Sequence, residues 1–209
     1  MNAELVADPN GPADPGSPLG RLATEVRACT LCAAHLPLGP RPVIRLDVHA
    51  RVLIIGQAPG TRVHASGTPW DDPSGDRLRR WLDVDADAFY ALERFALMPM
   101  GFCYPGKGQG GDLPPRPECA PRWHAPLRAA MPNIRLTVLP GRHGQQYYLD
   151  TRGESLETTV RRYRDFLDHG FFPLPHPSPR NTRWLRDRPW FEAEVVPALQ
   201  QAVAAALTG

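Results

Sequence analysis

The sequence predicts an α/β fold: a three-layer α/β/α sandwich around a four-stranded, mostly parallel sheet. Short apolar runs alternate with helical patterns along the chain, in the order strand, helix, repeated four times. Gly or Pro follows closely after each apolar run, as expected where a buried parallel strand stops in a tight turn. Strands that alternate with helices form parallel units with helices on both faces of the sheet.

Length and composition fit one domain with a short tail. With 209 residues, 42% of them hydrophobic, the chain can bury a sizeable core. We expect residues 1–17, rich in Pro, Gly, Asp and Ala, to be a disordered tail ahead of a single domain at residues 18–209. No apolar run reaches the roughly 18 residues of a membrane span, and no secretory signal pattern begins the chain. We therefore expect a soluble, cytoplasmic protein without a membrane partner.

The charge balance points only weakly to a partner. The net charge is +2, and the first 17 residues carry three acidic residues and no basic one, so the rest of the chain is more basic than the total. Lys107 is the only lysine, and Arg supplies the other positive side chains. Arg suits bidentate contacts with phosphate. Arg-rich usage can also reflect genome composition, and both explanations stay open.

The first half of the chain leads to one strand and its loop. Apolar residues at helical spacing predict a helix over residues 18–29. Residues 51–55 form the first predicted strand, which ends in the turn Gly56-Gln-Ala-Pro-Gly60. Glycines let a ligand approach the backbone of this turn, and the proline stiffens it. A loop is predicted for residues 61–73, with Ser74 as the cap of the helix that follows.

The second half supplies three more strands. A short helix at residues 85–95 leads into the second strand, residues 95–102, and a Gly/Pro-rich loop then extends to Cys119. The third and fourth strands are predicted at residues 134–139 and 171–174. Further helices are predicted at residues 121–131, 143–149, 156–167 and 189–207. Parallel strands end at a common edge of the sheet, where ligands bind in open α/β folds.

Four cysteines follow the spacing Cys29-x2-Cys32-x70-Cys103-x15-Cys119. Two thiolates in a CxxC turn can bind one metal centre, and the other two flank a loop that can fold back to them. Disulfides are not expected in a cytosolic chain. The spacing predicts a metal site that joins the N-terminal helix to the 103–119 loop, with four unrelated thiols as the alternative. Zinc and an iron–sulfur cluster fit the spacing equally well.

Two strand ends carry unusual residues: Gly56-Gln-Ala-Pro-Gly60 after the first strand and His176-Pro-Ser-Pro179 after the last. In these loops the chain resembles the uracil-DNA glycosylase superfamily, over about residues 20–205. The cysteine spacing resembles that of the iron–sulfur branch, the family 4 enzymes. The segment Gly67-Thr-Pro-Trp70 through Ser74-Gly-Asp-Arg-Leu78 is similar to a segment of the same branch. The resemblance implies a [4Fe–4S] cluster on the four cysteines, with zinc as the alternative.

The resemblance implies a base-excision repair enzyme that hydrolyses the N-glycosidic bond of uracil, or a related deaminated base, in DNA. The target base leaves the stack and enters a pocket, where His176 is expected to stabilise the negative charge that develops on it. Gln57 is expected to position the attacking water. Ser178 and Arg180 are expected to contact DNA. The expected substrate-binding residues are Gly56, Gln57, Ala58, Gly60 and Trp70, of which Trp70 stands where the family has a stacking Phe.

The turn after the first strand departs from the family pattern. The iron–sulfur branch has Glu where this chain has Gln57, and many other members have Asp or Asn where it has Ala58. An amide can orient a water but cannot take its proton. Asp71 and Asp72 are the nearest carboxylates in sequence to the expected pocket, and capping or a salt bridge is the alternative role for each. The base-reading Asn of the branch is missing from residues 98–102.

Three hypotheses follow. The first is a monomeric glycosylase that acts on uracil-containing DNA at the nucleoid of a bacterial-type cell. The second, favoured by Gln57 and the missing Asn, is a module that binds damaged DNA without effective chemistry. A covalent protein–DNA adduct, known as a variant in this superfamily, is a further outcome. The third is an α/β enzyme that contains a structural zinc ion and acts on a nucleotide or small substrate. Its match to the family motifs would then be coincidental.

Overall fold

A computed structural model describes residues 16–208 of the protein. The predicted disordered tail, residues 1–17, lies almost wholly outside the described residues. Ser17 is described, and its side chain accepts a hydrogen bond of 3.0 Å from the Gly20 N–H, so it caps the first helix. Such a cap stabilises a helix by about 1 kcal/mol.

A parallel sheet forms the middle layer of the fold. The strands in chain order are β1 (Val52–Ile54), β2 (Phe95–Leu97), β3 (Lys107–Gly108), β4 (Gly111–Asp112), β5 (Leu136–Pro140) and β6 (Phe171–Leu174). The central sheet has the order β2–β1–β5–β6, and all of its pairings are parallel. Strands β3 and β4 form a separate antiparallel hairpin. The predicted α/β class is therefore confirmed, with a fully parallel central sheet.

Helices cover both faces of the sheet. They are α1 (Pro18–Arg27), α2 (Thr61–Ser66), α3 (Pro73–Leu82), α4 (Ala86–Tyr90), α5 (Cys119–Ala129), α6 (Arg142–Tyr148), α7 (Leu156–Arg161), α8 (Tyr163–Leu167), α9 (Thr182–Arg186) and α10 (Val196–Thr208). A π-helical turn, Phe191–Val195, leads into α10. Within residues 16–208, no helix is both long enough and apolar enough to cross a membrane.

Two hydrophobic cores lie on opposite faces of the sheet because successive strand residues point to opposite sides. Val52 and Ile54 pack with residues of α3, α7 and α10 in one core. Leu53 and Ile55 pack with residues of α1 and α5 in the other. Full burial of each such side chain contributes about 1.5–3 kcal/mol. Each core lies between the sheet and the helices on one of its faces, as expected for a three-layer sandwich.

Several predicted local features are wrong. Ser74 does not cap α3: the Asp72 carboxylate accepts a hydrogen bond of 2.9 Å from the Gly75 N–H, and Pro73 begins the helix. Proline is common at the first helical position, because an N–H there would have no partner within the helix and its absence costs little. The predicted loop at 61–73 contains helix α2, and the predicted single helix at 156–167 is divided into α7 and α8.

Candidate active site

A cleft of about 410 Å³ opens at the carboxyl ends of β1 and β6. Parallel strands end together there, so loops far apart in sequence meet. The predicted residues that line it are Gly56, Gln57, Ala58, Gly60, Trp70, His176, Ser178 and Arg180. Asp72, Asn181 and the hairpin residues 110–113 also line the cleft. The structure thus brings every predicted catalytic, substrate-binding and DNA-binding residue to one wall or another of a single cleft.

Backbone hydrogen bonds fix the turn after β1. The Gly56 carbonyl accepts a hydrogen bond of 2.9 Å from the Met100 N–H. The Gln57 carbonyl accepts another, also 2.9 Å, from the Gly101 N–H. The segment that follows β2 therefore supports the backbone of the turn, and Gln57 lines the cleft.

Trp70 packs between the two loops of the cleft. Its backbone has φ of 60°, in the left-handed region, and its ring lies 5.7 Å from the His176 ring, centroid to centroid, in a stacked arrangement. A Cβ atom on Gly56 would lie 2.7 Å from Cζ2 of Trp70. Glycine is therefore required at position 56 by the close approach of the indole ring.

His176 is held in one protonation state and one tautomer. The Ser178 N–H donates a hydrogen bond of 3.2 Å to Nδ1 of His176, so Nδ1 is an acceptor and the neutral ring carries its proton on Nε2. Burial lowers the pKa of His176 to about 4, with a further lowering from His143 and an opposing effect of Asp72. Nε2 has no hydrogen-bond partner among residues 16–208. At neutral pH the ring is therefore an uncharged donor in the cleft wall.

Long-range tethers position the His176 loop. The guanidinium of Arg77, on α3, donates to the Ser178 carbonyl over 3.0 Å. The Asn181 side chain donates to the His176 carbonyl over 2.7 Å. The buried amide of Gln145 donates to carbonyls of both β5 and β6, which joins the ends of these strands. None of these three residues was predicted from the sequence. Asn181 alone could have been suspected, because it lies two positions after the His176–Pro179 motif.

Ser178 and Arg180 lie at the edge of the cleft. The Ser178 hydroxyl accepts a hydrogen bond of 3.3 Å from the Arg180 N–H. The Arg180 guanidinium crosses the cleft and donates to the Gly110 carbonyl of the β3–β4 hairpin. Both residues are placed where a DNA backbone could reach them, and contact with DNA stays a prediction.

The two acidic candidates have different surroundings. Asp71 forms an ion pair of 3.4 Å with Arg62 and is absent from the cleft lining. Asp72 lines the cleft, but its carboxylate caps α3. The alternative roles, a salt bridge for Asp71 and a cap for Asp72, therefore account for the geometry of both.

All four cysteines line one second cavity, together with apolar side chains that include Phe102 and Trp123. Burial raises the pKa of Cys103 to about 11 and that of Cys119 to about 12. Thiolates in such a cavity need a positive charge beside them. Within residues 16–208, no three His, Cys, Asp or Glu side chains lie close enough together to hold a metal ion. The shared cavity is the observation that brings the four cysteines together.

One family model matches most of the chain. Residues 44–200, about three-quarters of the chain, match the family described as the uracil DNA glycosylase superfamily. The match contains both cleft loops and Trp70, and it begins after Cys29 and Cys32. The hypothesis of coincidental motifs is therefore wrong. Because the match spans the sheet and both loops at its carboxyl edge, the chain belongs to the uracil DNA glycosylase superfamily.

Proposed function

We propose that the protein is a DNA glycosylase of base-excision repair, which hydrolyses the N-glycosidic bond of uracil or a related deaminated base. Superfamily membership supports a glycosylase-type hydrolase with DNA as its partner. The observation that carries the proposal is His176, an uncharged ring in the cleft wall whose Nδ1 is already occupied by the Ser178 N–H. Its Nε2–H is left for a substrate.

In the proposed reaction the bond between the sugar and the base breaks, and its electrons move onto the base. The Nε2–H of His176 donates to a carbonyl oxygen of the departing base and stabilises its negative charge. Removing one such preorganised donor typically lowers the rate by about 10²–10³-fold. Because the ring is neutral, its remaining N–H is too weak an acid to protonate the departing base, so the base leaves as an anion that accepts a hydrogen bond. Trp70, beside His176, supplies an aromatic surface in the same cleft.

We also propose that Cys29, Cys32, Cys103 and Cys119 hold a [4Fe–4S] cluster. Support comes from the cavity that all four cysteines line and from their CxxC spacing in the sequence. Four cysteine thiolates are the usual ligands of such a cluster, and a structural zinc ion with the same ligand set is the alternative. When bound, the cluster would cross-link the end of α1 to the start of α5. Iron and sulfide analysis of purified protein tests this, and stoichiometric zinc without sulfide would contradict it.

One assay tests the proposed activity. Cluster-loaded protein is incubated with oligonucleotides that contain uracil, hypoxanthine or xanthine, in single and double strands, and then treated with alkali. We expect strand cleavage at one or more of these bases. A protein that cleaves none of them is not a glycosylase of deaminated bases.

A second candidate function is a module that binds damaged DNA without releasing the base. It is favoured by Gln57, which stands in the cleft wall where a proton acceptor for water is expected. Tight binding to uracil-containing DNA without base release would support it. A shift that survives denaturant on a gel would instead indicate a covalent adduct.

A further inference from the structure

Hydrolysis at the sugar is accelerated by a group that accepts a proton from the attacking water. A positioned general base typically contributes about 10²–10⁴-fold to such a step. The turn Gly56–Gly60 holds no carboxylate, and the Gln57 amide is not a base. His176 is also unsuited, because its Nδ1 accepts the Ser178 N–H and its Nε2 carries the proton. A protein group that fills this role has to lie on another element that lines the cleft.

The β3–β4 hairpin brings another carboxylate to the cleft. Asp112, the last residue of β4, lines the cleft with the Gly56–Gly60 turn. Its Oδ2 atom lies 3.4 Å from the position that a Cβ atom would take on Gly60. The side chain is exposed, and within residues 16–208 it has no hydrogen-bond or ion-pair partner. Asp72, by contrast, is engaged as a helix cap.

Contacts on both sides hold the hairpin in place. The Leu113 N–H donates a hydrogen bond of 2.8 Å to the Gly106 carbonyl at the base of the hairpin. At the tip, Arg180 donates to the Gly110 carbonyl and packs so closely on Gly111 that a Cβ atom there would collide with the guanidinium. The hairpin is thereby joined to the His176 loop, and Asp112 faces the turn after β1.

We propose that Asp112 is the general base that activates water in the glycosylase reaction, an inference that rests on the proposed function. The water oxygen bonds to C1′ of the sugar while the C1′–N bond breaks and its electron pair goes to the base. One water proton passes to the Asp112 carboxylate and then to solvent. The base anion, stabilised by His176, takes a proton from solvent, which leaves free base and an abasic sugar.

The test compares wild-type protein with Asp112→Asn and with the control Asp71→Asn, whose site lies outside the cleft lining. Single-turnover base release is measured across pH on the best substrate of the lesion panel, together with DNA binding and thermal unfolding. We expect Asp112→Asn to lose about 10²-fold or more in rate, to unfold at the wild-type temperature, and to bind DNA at least as tightly as wild type because a negative charge leaves the cleft. Asp71→Asn should match wild type.

Two results would overturn the assignment while leaving the proposed function intact. One is an Asp112→Asn rate within about threefold of an active wild type, far below the contribution of a general base. The other is a slower variant that also binds DNA more weakly or unfolds at a lower temperature, since this would show a structural role. An inactive wild type would overturn the proposed function, and the assignment with it.

Discussion

Two histidines in different regions of the molecule are both kept uncharged by burial, yet only one is left with a hydrogen to donate. Burial lowers the pKa of His176, in the cleft, and of His124, in α5, to about 4 in each case. Nε2 of His124 donates to the Pro99 carbonyl over 3.1 Å, so its Nδ1 accepts the Tyr148 hydroxyl at 2.6 Å. Both nitrogens of His124 are therefore satisfied within the core.

The comparison teaches that a lowered pKa does not by itself identify a functional histidine. His124 stacks on Phe102 and supports the segment behind the Gly56–Gly60 turn. His176 has one nitrogen fixed by the loop backbone and the other without a partner among the described residues. Unused hydrogen-bonding capacity in a cleft, rather than a shifted pKa, separates the candidate catalytic residue from the structural one.

Replacing His176 with Ala is the change with the largest expected effect. The rate of base release should fall by about 10²–10³-fold, because the donor to the departing base is lost. The ring is only half-buried, so the melting temperature should fall less than it does for His124→Ala. Single-turnover kinetics and thermal unfolding measure both. An unchanged rate would remove His176 from the mechanism.

Replacing His124 with Ala should have the opposite result. The free energy of unfolding should fall by about 2–4 kcal/mol, since a cavity forms and the Pro99 carbonyl loses its partner. The rate per folded molecule should stay close to that of wild type. Urea unfolding and active-site-normalised kinetics check this. If His124→Ala lost rate without losing stability, the contrast between the two histidines would fail.

The pH dependence of stability tests whether both rings are neutral in the fold. The unfolded chain binds protons near the ordinary histidine pKa of 6.5, while folded His124 and His176 do so only near about 4. The unfolded state therefore gains protons first as pH falls, and stability should decrease between those two values. Urea unfolding over this range should show a shallower decrease for His124→Phe. Equal slopes for variant and wild type would contradict a neutral His124.

Replacing Arg77 with Met should disturb the position of His176 and leave His124 unaffected. The variant loses the hydrogen bonds from α3 to the Ser178 carbonyl and Thr182 hydroxyl. Looser positioning of His176 should lower the rate of base release by roughly tenfold, less than loss of the ring itself. Kinetics on the same substrate measure the effect. A loss as large as that of His176→Ala would mean that Arg77 itself touches the substrate.

The smallest expected effect concerns the start of α3. Asp72→Ala should lower the free energy of unfolding by about 1 kcal/mol, because the cap to the Gly75 N–H is lost. Ser74→Ala is the matched control and should be nearly neutral. Denaturant unfolding separates the two. A larger loss for Ser74→Ala than for Asp72→Ala would show that Ser74 is the cap, as the sequence predicted.

Much of the fold and most of the cleft could be predicted from local sequence. Apolar runs bounded by Gly and Pro placed the start of each of the four strands within two residues, but the second strand ends at Leu97 and not at residue 102. The alternation of strands with helices required a parallel sheet. Parallel strands end at one edge, so Gly56–Gly60 and His176 were expected to meet. Helix caps and short helices were predicted less well, since Asp72 and Ser74 are both good cap residues and only the backbone path selects one.

Short-range sequence patterns specify the layers of the fold and the chemistry of its two main loops, because hydrophobic period and turn residues act over short distances. Which groups remain unused in the cleft depends instead on contacts between distant parts of the chain. The tautomer of His176 depends on a backbone N–H, the tether from Arg77 spans 101 positions of the chain, and Asp112 enters on a hairpin within a predicted loop. Such contacts depend on the path of the whole chain, which no local pattern specifies.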